Sequence, residues 1–298
     1  MSTTSTESPS GRRAAVVVVA GLFAFTAAII ASITVSRFVP GAASGVARTA
    51  TAFVVELLLL GAIVRFGRLD ARSIGLGLER RDAARFGAGA LLGVVAIVST
   101  LAVTALAAGI HVAIAPRAQW PLAPGFALKL AATAFGVTFE EVAFRAALVG
   151  VLALAVRREI AIGVPAVLFG LAHAGNHGAT VYSIANTTIA ALLLEGLFLL
   201  PTRDGRPPSL AASTAFHFVW NFAVAAVLGL VVSGGATSSH FIDVTIPEGA
   251  WAGGAYGIEA SPATTITFGL GAAVALAMVF RGRARDSRIS RGPAASPE

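Results

Sequence analysis

The sequence predicts an all-α fold: a polytopic membrane helix bundle of about eight transmembrane helices, with the N-terminus and the C-terminus in the cytoplasm. The first observation is composition, since 56% of the 298 residues are hydrophobic and 12% are charged, whereas soluble domains carry about 25% charged residues. The second is a series of apolar runs of spanning length. The third is the uneven distribution of arginine between the segments that join them.

The apolar runs define eight predicted spans. A helix needs roughly 20 apolar residues to cross about 30 Å of hydrocarbon. The first run lacks a clear small-residue cleavage site, so it is predicted to be a retained span and not a secretory signal. The two shortest runs are expected to extend into flanking residues, to lie inside the bundle or to be partly re-entrant. The runs cover residues 14–36, 49–64, 87–110, 126–148, 160–175, 179–200, 209–232 and 262–280.

Arginine predicts the orientation and the domain organisation. With the N-terminus inside, 17 arginines lie in cytoplasmic segments and three lie on the opposite side, which is the positive-inside pattern. We therefore expect one membrane-embedded domain over residues 14–281, a disordered cytoplasmic tail at 1–13 and a basic, disordered tail at 282–298. The net charge of +7 needs no nucleic-acid partner. The expected location is the inner (plasma) membrane of a bacterium, and the oligomeric state is left open.

The fourth run contains the first candidate site. Cysteine is absent, so no thiolate chemistry is available. Glu140, Glu141 and Arg145 interrupt an apolar segment, at a cost of about 2.5 to 3.5 kcal/mol for each charge near the bilayer centre. Glu141 and Arg145 are four residues apart and can form an ion pair on one helix face. Glu140 lies about 100° away round the helix, so it needs another partner. Two adjacent buried carboxylates cannot both ionise cheaply, so one of the pair can hold a proton, which general acid–base chemistry requires.

Two later runs contribute histidines. His173 ends the run at 160–175, and His177 follows four residues later, but Gly175 and Gly178 indicate that the helix has already ended, which argues against a helical zinc pair. In the seventh run, His217 and Asn221 lie four apart and share a face.

Any one of these polar groups, taken alone, is more simply explained as a helix-packing contact. Polar faces on three separate helices together indicate a shared site. Two further intramembrane acids, Glu56 and Glu195, have no motif around them and are predicted to be packing or hydrogen-bonding residues.

Three motifs in this order resemble the CPBP family: Glu140-Glu141-x-x-x-Arg145, Phe169-x-x-x-His173 and His217-x-x-x-Asn221. The family comprises the type II CAAX prenyl endopeptidases and prokaryotic proteins grouped with bacteriocin processing and self-immunity, built as bundles of about eight membrane helices. The resemblance covers roughly residues 85–280. The glycine-rich segment Trp251–Glu259 also resembles an outer segment of many bacterial members, and its role is left open, as is that of the whole outer loop at 233–261.

The resemblance implies an intramembrane endopeptidase whose catalytic residues are Glu140, Glu141, Arg145, His173, His217 and Asn221. Glu140 would activate a water molecule, with Glu141 and Arg145 shaping its charge and position, and His173 would help to hold the water. His217 and Asn221 would donate hydrogen bonds to the oxyanion. The implied partners are the lipid bilayer and a peptide or membrane-protein substrate.

Metal dependence and two other functions remain open at this stage. No tightly bound cofactor is predicted, because no histidine pair has a dependable ligand spacing; if a divalent metal such as zinc is present, Glu140, His173 and His217 are its expected ligands. The first alternative function is a catalytically silent membrane protein in bacteriocin self-immunity or scaffolding. The second is a proton-coupled transporter that uses the buried acids as a relay.

Overall fold

The computed structural model describes residues 11–41, 43–77, 79–200, 208–236 and 239–290, and most of them are helical. Two α-helices continue directly into π-helical stretches, α4 into Val142–Gly150 and α8 into Ala223–Val227. The α-helices of the described residues are α1 (Gly11–Ser36), α2 (Ala43–Gly67), α3 (Asp82–Ala108), α4 (Ala123–Glu141), the single turn α5 (Val151–Ala153), α6 (Arg158–Ala172), α7 (Val181–Leu199), α8 (Leu210–Phe222) and α9 (Pro262–Ser290).

Six helical segments of the described chain are long and apolar enough to cross a membrane: Ala15–Ser36, Ala43–Gly67, Asp82–Ala108, Val181–Leu199, Leu210–Val227 and Pro262–Gly282. Helix α6 has only 15 residues, fewer than a span requires. Helix α4 contains three charged residues, Lys129, Glu140 and Glu141. The count of eight spans and the cytoplasmic position of both termini stay predictions. Residues 1–10 and 291–298 of the two predicted tails lie outside the described residues, and α9 runs past the predicted domain end at 281.

A small antiparallel sheet is a feature that the sequence did not predict. Strand β1 (His111–Ile114) pairs with β2 (Ile242–Thr245), with Val112 opposite Val244. Each strand has four residues, which is too short for a readable alternation of polar and apolar residues. The sheet ties the segment after α3 to the segment after α8.

Close helix packing defines the part of the bundle that carries the polar motifs. The largest buried cluster combines side chains of α3, α7, α8 and α9, among them Ile97, Leu194 and Phe268. Helix α6 approaches α7 at Gly170, where an added Cβ would meet the Thr188 hydroxyl. Small residues at such crossings let two backbones approach closely. The C-terminal end of α6 is therefore held firmly against α7.

Polar caps fix where α7 and α8 begin. Thr180 and Ser183 form a reciprocal capping box at the start of α7, which satisfies backbone N–H groups that a helix start leaves unpaired. The Ser209 side chain accepts a hydrogen bond from the Ala211 backbone at the start of α8, and its hydroxyl donates to Asp82 Oδ1 at 2.7 Å. Because Asp82 begins α3, the starts of α3 and α8 are held at the same level.

Candidate active site

Four of the six predicted site residues line one cavity of ≈ 210 Å³, which we call the central cavity. Glu140 reaches it from the last turn of α4, His173 from the residue after α6, and His217 and Asn221 from α8. The other two residues lie behind this surface, and both are fully buried. The three motifs, which are far apart in the sequence, therefore meet at one point of the bundle.

Glu141 and Arg145 form the ion pair that their spacing predicts. Arg145 Nη1 lies 3.2 Å from Glu141 Oε1, and both side chains are 0% exposed. The guanidinium also sits over the ring of Phe169, with its carbon 4.4 Å from the ring centroid, a cation–π geometry. Phe169 thus supports the cation of the first motif and belongs to the second motif.

His217 connects both carboxylates of the first motif. Its Nδ1 lies 3.0 Å from Glu141 Oε1 and its Nε2 lies 3.8 Å from Glu140 Oε2. Because an ionised carboxylate only accepts hydrogen bonds, Nδ1 carries the proton that is donated to Glu141. In the neutral imidazole, Nε2 is then the acceptor, and the Asn221 amide donates to it at 3.3 Å.

His173 is oriented by its own helix. Its Nδ1 donates to the backbone carbonyl of Phe169 at 2.8 Å, and its ring packs on the Phe169 ring with centroids 4.6 Å apart. A carbonyl can only accept, so Nε2 is the acceptor nitrogen of the neutral ring. His177 lies exposed in the turn that follows, and α6 ends at Ala172, as the glycines predicted.

The segment that carries the site residues matches a known protein family. Residues 119–223, which contain all six predicted site residues, match the family described as Rce1-like, type II CAAX prenyl endopeptidase. The resemblance to the CPBP family is confirmed. The match comprises a little over a third of the chain. No curated protein and no solved structure matches the chain.

Six apolar helices of spanning length and the match of this segment to a membrane protease family indicate a multi-pass membrane protein. The matched residues contain α4 to α8. The residues between α8 and α9, 228–236 and 239–261, which we call the outer segment after their predicted position, lie beyond the match and contribute Val232, Ser233 and Glu259 to the central cavity.

Glu259 of the outer segment is a cavity residue to which the sequence interpretation gave no role. Its Oε1 accepts a hydrogen bond from Trp220 Nε1 at 2.9 Å, and its Oε2 accepts from the Ser233 backbone at 2.7 Å and from the Ser233 hydroxyl at 2.6 Å. The three residues line the central cavity with Glu140. Trp220 lies on α8 between His217 and Asn221, the two residues of the third motif. Its hydrogen bond to Glu259 therefore holds the outer segment against α8.

The same segment is also bound to α7 across the cavity. The Asn186 amide donates to the Glu259 carbonyl at 2.8 Å and to the Ser261 carbonyl at 3.1 Å. Thr187 and Tyr256 share a hydrogen bond of 3.1 Å. Burial, with a further contribution from the Glu259 carboxylate, raises the pKa of the Tyr256 phenol. The phenol therefore stays protonated at neutral pH and can donate.

Glycines allow the chain to turn in this part of the outer segment, and they are the sequence feature that could have indicated the turn. Gly253 and Gly257 have φ of 75° and 96°, in the left-handed region that favours glycine. The sequence interpretation noted the glycine-rich segment and left its role open. Composition alone does not reveal that the acid at its end turns back into the bundle.

The two acids without a motif are buried in different surroundings. Glu56 and Glu195 are both 0% exposed, and neither carboxylate makes a hydrogen bond within the described part of the chain. Of the two alternatives predicted for them, packing and hydrogen bonding, the described residues show the packing one. Glu195 lies close enough to Arg145 and Glu141 to interact with their charges.

The described residues do not fit a metal centre. No group of three or more His, Cys, Asp or Glu residues among them is arranged to hold a metal ion, and the conditional ligand set Glu140, His173 and His217 is not such a group. His217 already uses Nδ1 on Glu141 and receives the Asn221 amide at Nε2. The expectation that no metal is tightly bound stays a prediction.

Proposed function

We propose that the protein is an intramembrane endopeptidase in which Glu140 activates a water molecule for attack on a peptide carbonyl. The observation that carries the proposal is the shared lining of the central cavity by Glu140, His173, His217 and Asn221. An acid, two imidazoles and an amide are the groups that peptide hydrolysis needs as base, water ligands and oxyanion donors.

Glu140 is the base because it is the accessible carboxylate of the pair. Its side chain is 30% exposed, whereas that of Glu141 is 0% exposed and is bound to Arg145 and His217. The 3.8 Å between Glu140 Oε2 and His217 Nε2 is too long for a direct hydrogen bond. It leaves room for a water molecule beside Glu140.

The proposed reaction moves one proton in two steps. Glu140 takes a proton from the water as its oxygen bonds to the carbonyl carbon, and the carbonyl oxygen becomes an oxyanion. The acid then gives that proton to the amide nitrogen as the C–N bond breaks and the oxyanion collapses, which releases a carboxylic acid and an amine. His173 Nε2 holds the water before attack, because it is the acceptor of that ring.

Asn221 is the primary oxyanion donor in this proposal. Its amide has two N–H groups, and one of them can turn to the developing charge, a contact whose loss typically costs about 10² to 10³ in rate. His217 can donate from Nε2 only as imidazolium, since Nδ1 already holds the proton shared with Glu141. The substrate would be a peptide or a membrane-protein segment, in the plasma membrane of a bacterium.

The direct test compares Glu140→Gln with Glu248→Gln in purified protein. Glu248 is exposed in the outer segment, so the control makes the same chemical change away from the cavity. We expect Glu140→Gln to lower peptide cleavage by about 10² to 10⁴, the usual contribution of a general base, and the control to keep it. Equal cleavage by the parent and Glu140→Gln would contradict the proposal, and an inert parent would favour the silent role.

Chelation tests the metal-free form of the mechanism. Because no metal-binding group exists among the described residues, cleavage by the parent should persist after prolonged dialysis against EDTA. Loss of cleavage in the chelator, with recovery on adding zinc, would show that a metal supplies the nucleophile.

A further inference from the structure

A second cavity, which we call the side cavity, opens beside Glu140. It has ≈ 530 Å³ and lies between α2, α4 and the end of α8. Glu140 and Asn221 line both the side cavity and the central cavity. A chain segment lying in the side cavity would therefore lead directly to the proposed reaction centre.

Two cations line this cavity, Arg48 on α2 and Lys129 on α4. Lys129 is the one lysine in the sequence, and it is half-buried. Within the described ranges, neither cation has a salt bridge or a side-chain hydrogen bond, and Glu140 is the only acidic residue among those lining the cavity. Arg48 is exposed at the mouth of the cavity. A cation in a membrane helix that has no anion beside it can bind an anionic ligand that enters the cavity.

The helices give the spacing of the two charges from Glu140. Lys129 precedes Glu140 by eleven residues, close to three full turns, so both lie on one face of α4 about 16 Å apart along its axis. Helix α2 runs beside α4 in the same direction, since a Cβ at Gly45 would lie 4.0 Å from Ala132 and one at Gly136 would lie 3.3 Å from Thr49. Arg48 is therefore level with Phe135, about 7.5 Å from Glu140 along the axis.

These spacings match an extended peptide, which rises about 3.3 Å per residue. The level of Arg48 is about two residues from that of Glu140, and the level of Lys129 is about five residues away. The two cations are thus about three residues apart and stand on different helices, Arg48 on α2 and Lys129 on α4. Side chains three apart in an extended chain point to opposite faces, so each can face a different helix.

We propose that the side cavity is a substrate subsite in which Arg48 and Lys129 bind carboxylates of an extended peptide, about two and five residues from the scissile bond. This inference rests on the proposed endopeptidase function, because it assigns the occupant as substrate. Continuity of the side cavity with Glu140 and Asn221 favours a peptide over an anionic lipid headgroup, which would need no access to those residues.

The test measures binding in the cleavage-blocked Glu140→Gln protein, so it does not depend on turnover. The full chain in phosphatidylcholine nanodiscs is titrated into fluorescent ten-residue apolar peptides with two glutamates three residues apart, or two glutamines at the same positions. Each peptide is made as a free acid and as a C-terminal amide, which separates side-chain carboxylates from the terminal one. We expect roughly three- to thirtyfold tighter binding of the glutamate peptide, the range of partly buried charge pairs.

Variants assign that preference to the two cations. Lys129→Gln and Arg48→Gln should each remove most of it, whereas Arg37→Gln, an exposed cation outside the cavity, should keep it. Lys129→Glu should reverse it toward a peptide with lysine at that position, a gain that misfolding cannot produce.

Equal affinity for the glutamate and glutamine peptides, or no binding of either, would overturn the inference. So would a preference that persists in both cavity variants, or one abolished by anionic phosphatidylglycerol in the nanodisc, which would assign the cations to lipid. Cleavage failing while the charge preference holds would instead refute the endopeptidase function alone.

Discussion

At the scale of the residue, two adjacent glutamates have opposite surroundings. Glu141 is fully buried and bound to Arg145 and His217, while Glu140 borders three cavities. The spacing alone predicts that Glu141 pairs with Arg145 and that Glu140 lies outside this pair, because residues at i and i+4 share a helix face. Which groups Glu140 would meet could not be predicted, since they come from α6 and α8.

Glu141 should matter for stability more than Glu140 does. Glu141→Gln leaves Arg145 buried without its counter-charge, and breaking a buried pair typically costs about 3 to 5 kcal/mol. We expect a clear drop in the thermal unfolding temperature of the purified protein for Glu141→Gln and little change for Glu140→Gln.

The double variant Glu141→Gln, Arg145→Met checks the cause. Removing both charges eliminates the unpaired cation, so the double variant should be more stable than Glu141→Gln alone. A double variant that is less stable than either single one would show that the ion pair is not the reason.

At the scale of the element, the two helices that carry Glu141 and Asn221 pass into π-helical stretches directly after the motif residues. Such stretches are rare and frequently occur at functional sites. The hydrophobic periodicity of the sequence could locate the helices, but it cannot show a change from α to π hydrogen bonding. The same limit applies to Glu259, because the path of a glycine-rich turn depends on tertiary contacts.

Glu259 should hold the outer segment over the central cavity. Glu259→Gln weakens three hydrogen bonds to a charged acceptor, from Trp220 and twice from Ser233, each worth about 1.5 to 3 kcal/mol. We expect hydrogen exchange of residues 239–261 to rise about tenfold or more, and KM for a peptide to increase. Glu248→Gln should change neither, and unchanged exchange in Glu259→Gln would contradict the anchoring role.

At the scale of the whole molecule, the mostly helical character and the membrane setting follow from composition and run length. The β1–β2 pair was missed because its strands are four residues long and 131 positions separate their starts. The short α6 was anticipated as a weak span at 160–175. The orientation of the chain in the membrane is inferred from the distribution of arginine alone, so it must be measured separately.

The absence of cysteine makes that measurement simple. Single variants Arg72→Cys, between α2 and α3, and Ala236→Cys, in the outer segment, add one exposed thiol each. By the positive-inside rule, a membrane-impermeant maleimide should label Ala236→Cys in spheroplasts and Arg72→Cys only in inverted vesicles. The opposite pattern would reverse the orientation.

The central claim is that α4, α6 and α8 bring one acid, two imidazoles and one amide to a single hydrolytic centre. A double-mutant cycle of Glu140→Gln and His217→Ala, read as peptide cleavage by purified protein, tests it most directly. Groups that act in one step are strongly non-additive, so the double variant should lose no more activity than the worse single variant. Losses that multiply, or a parent that cleaves no faster than Glu140→Gln, would contradict the claim.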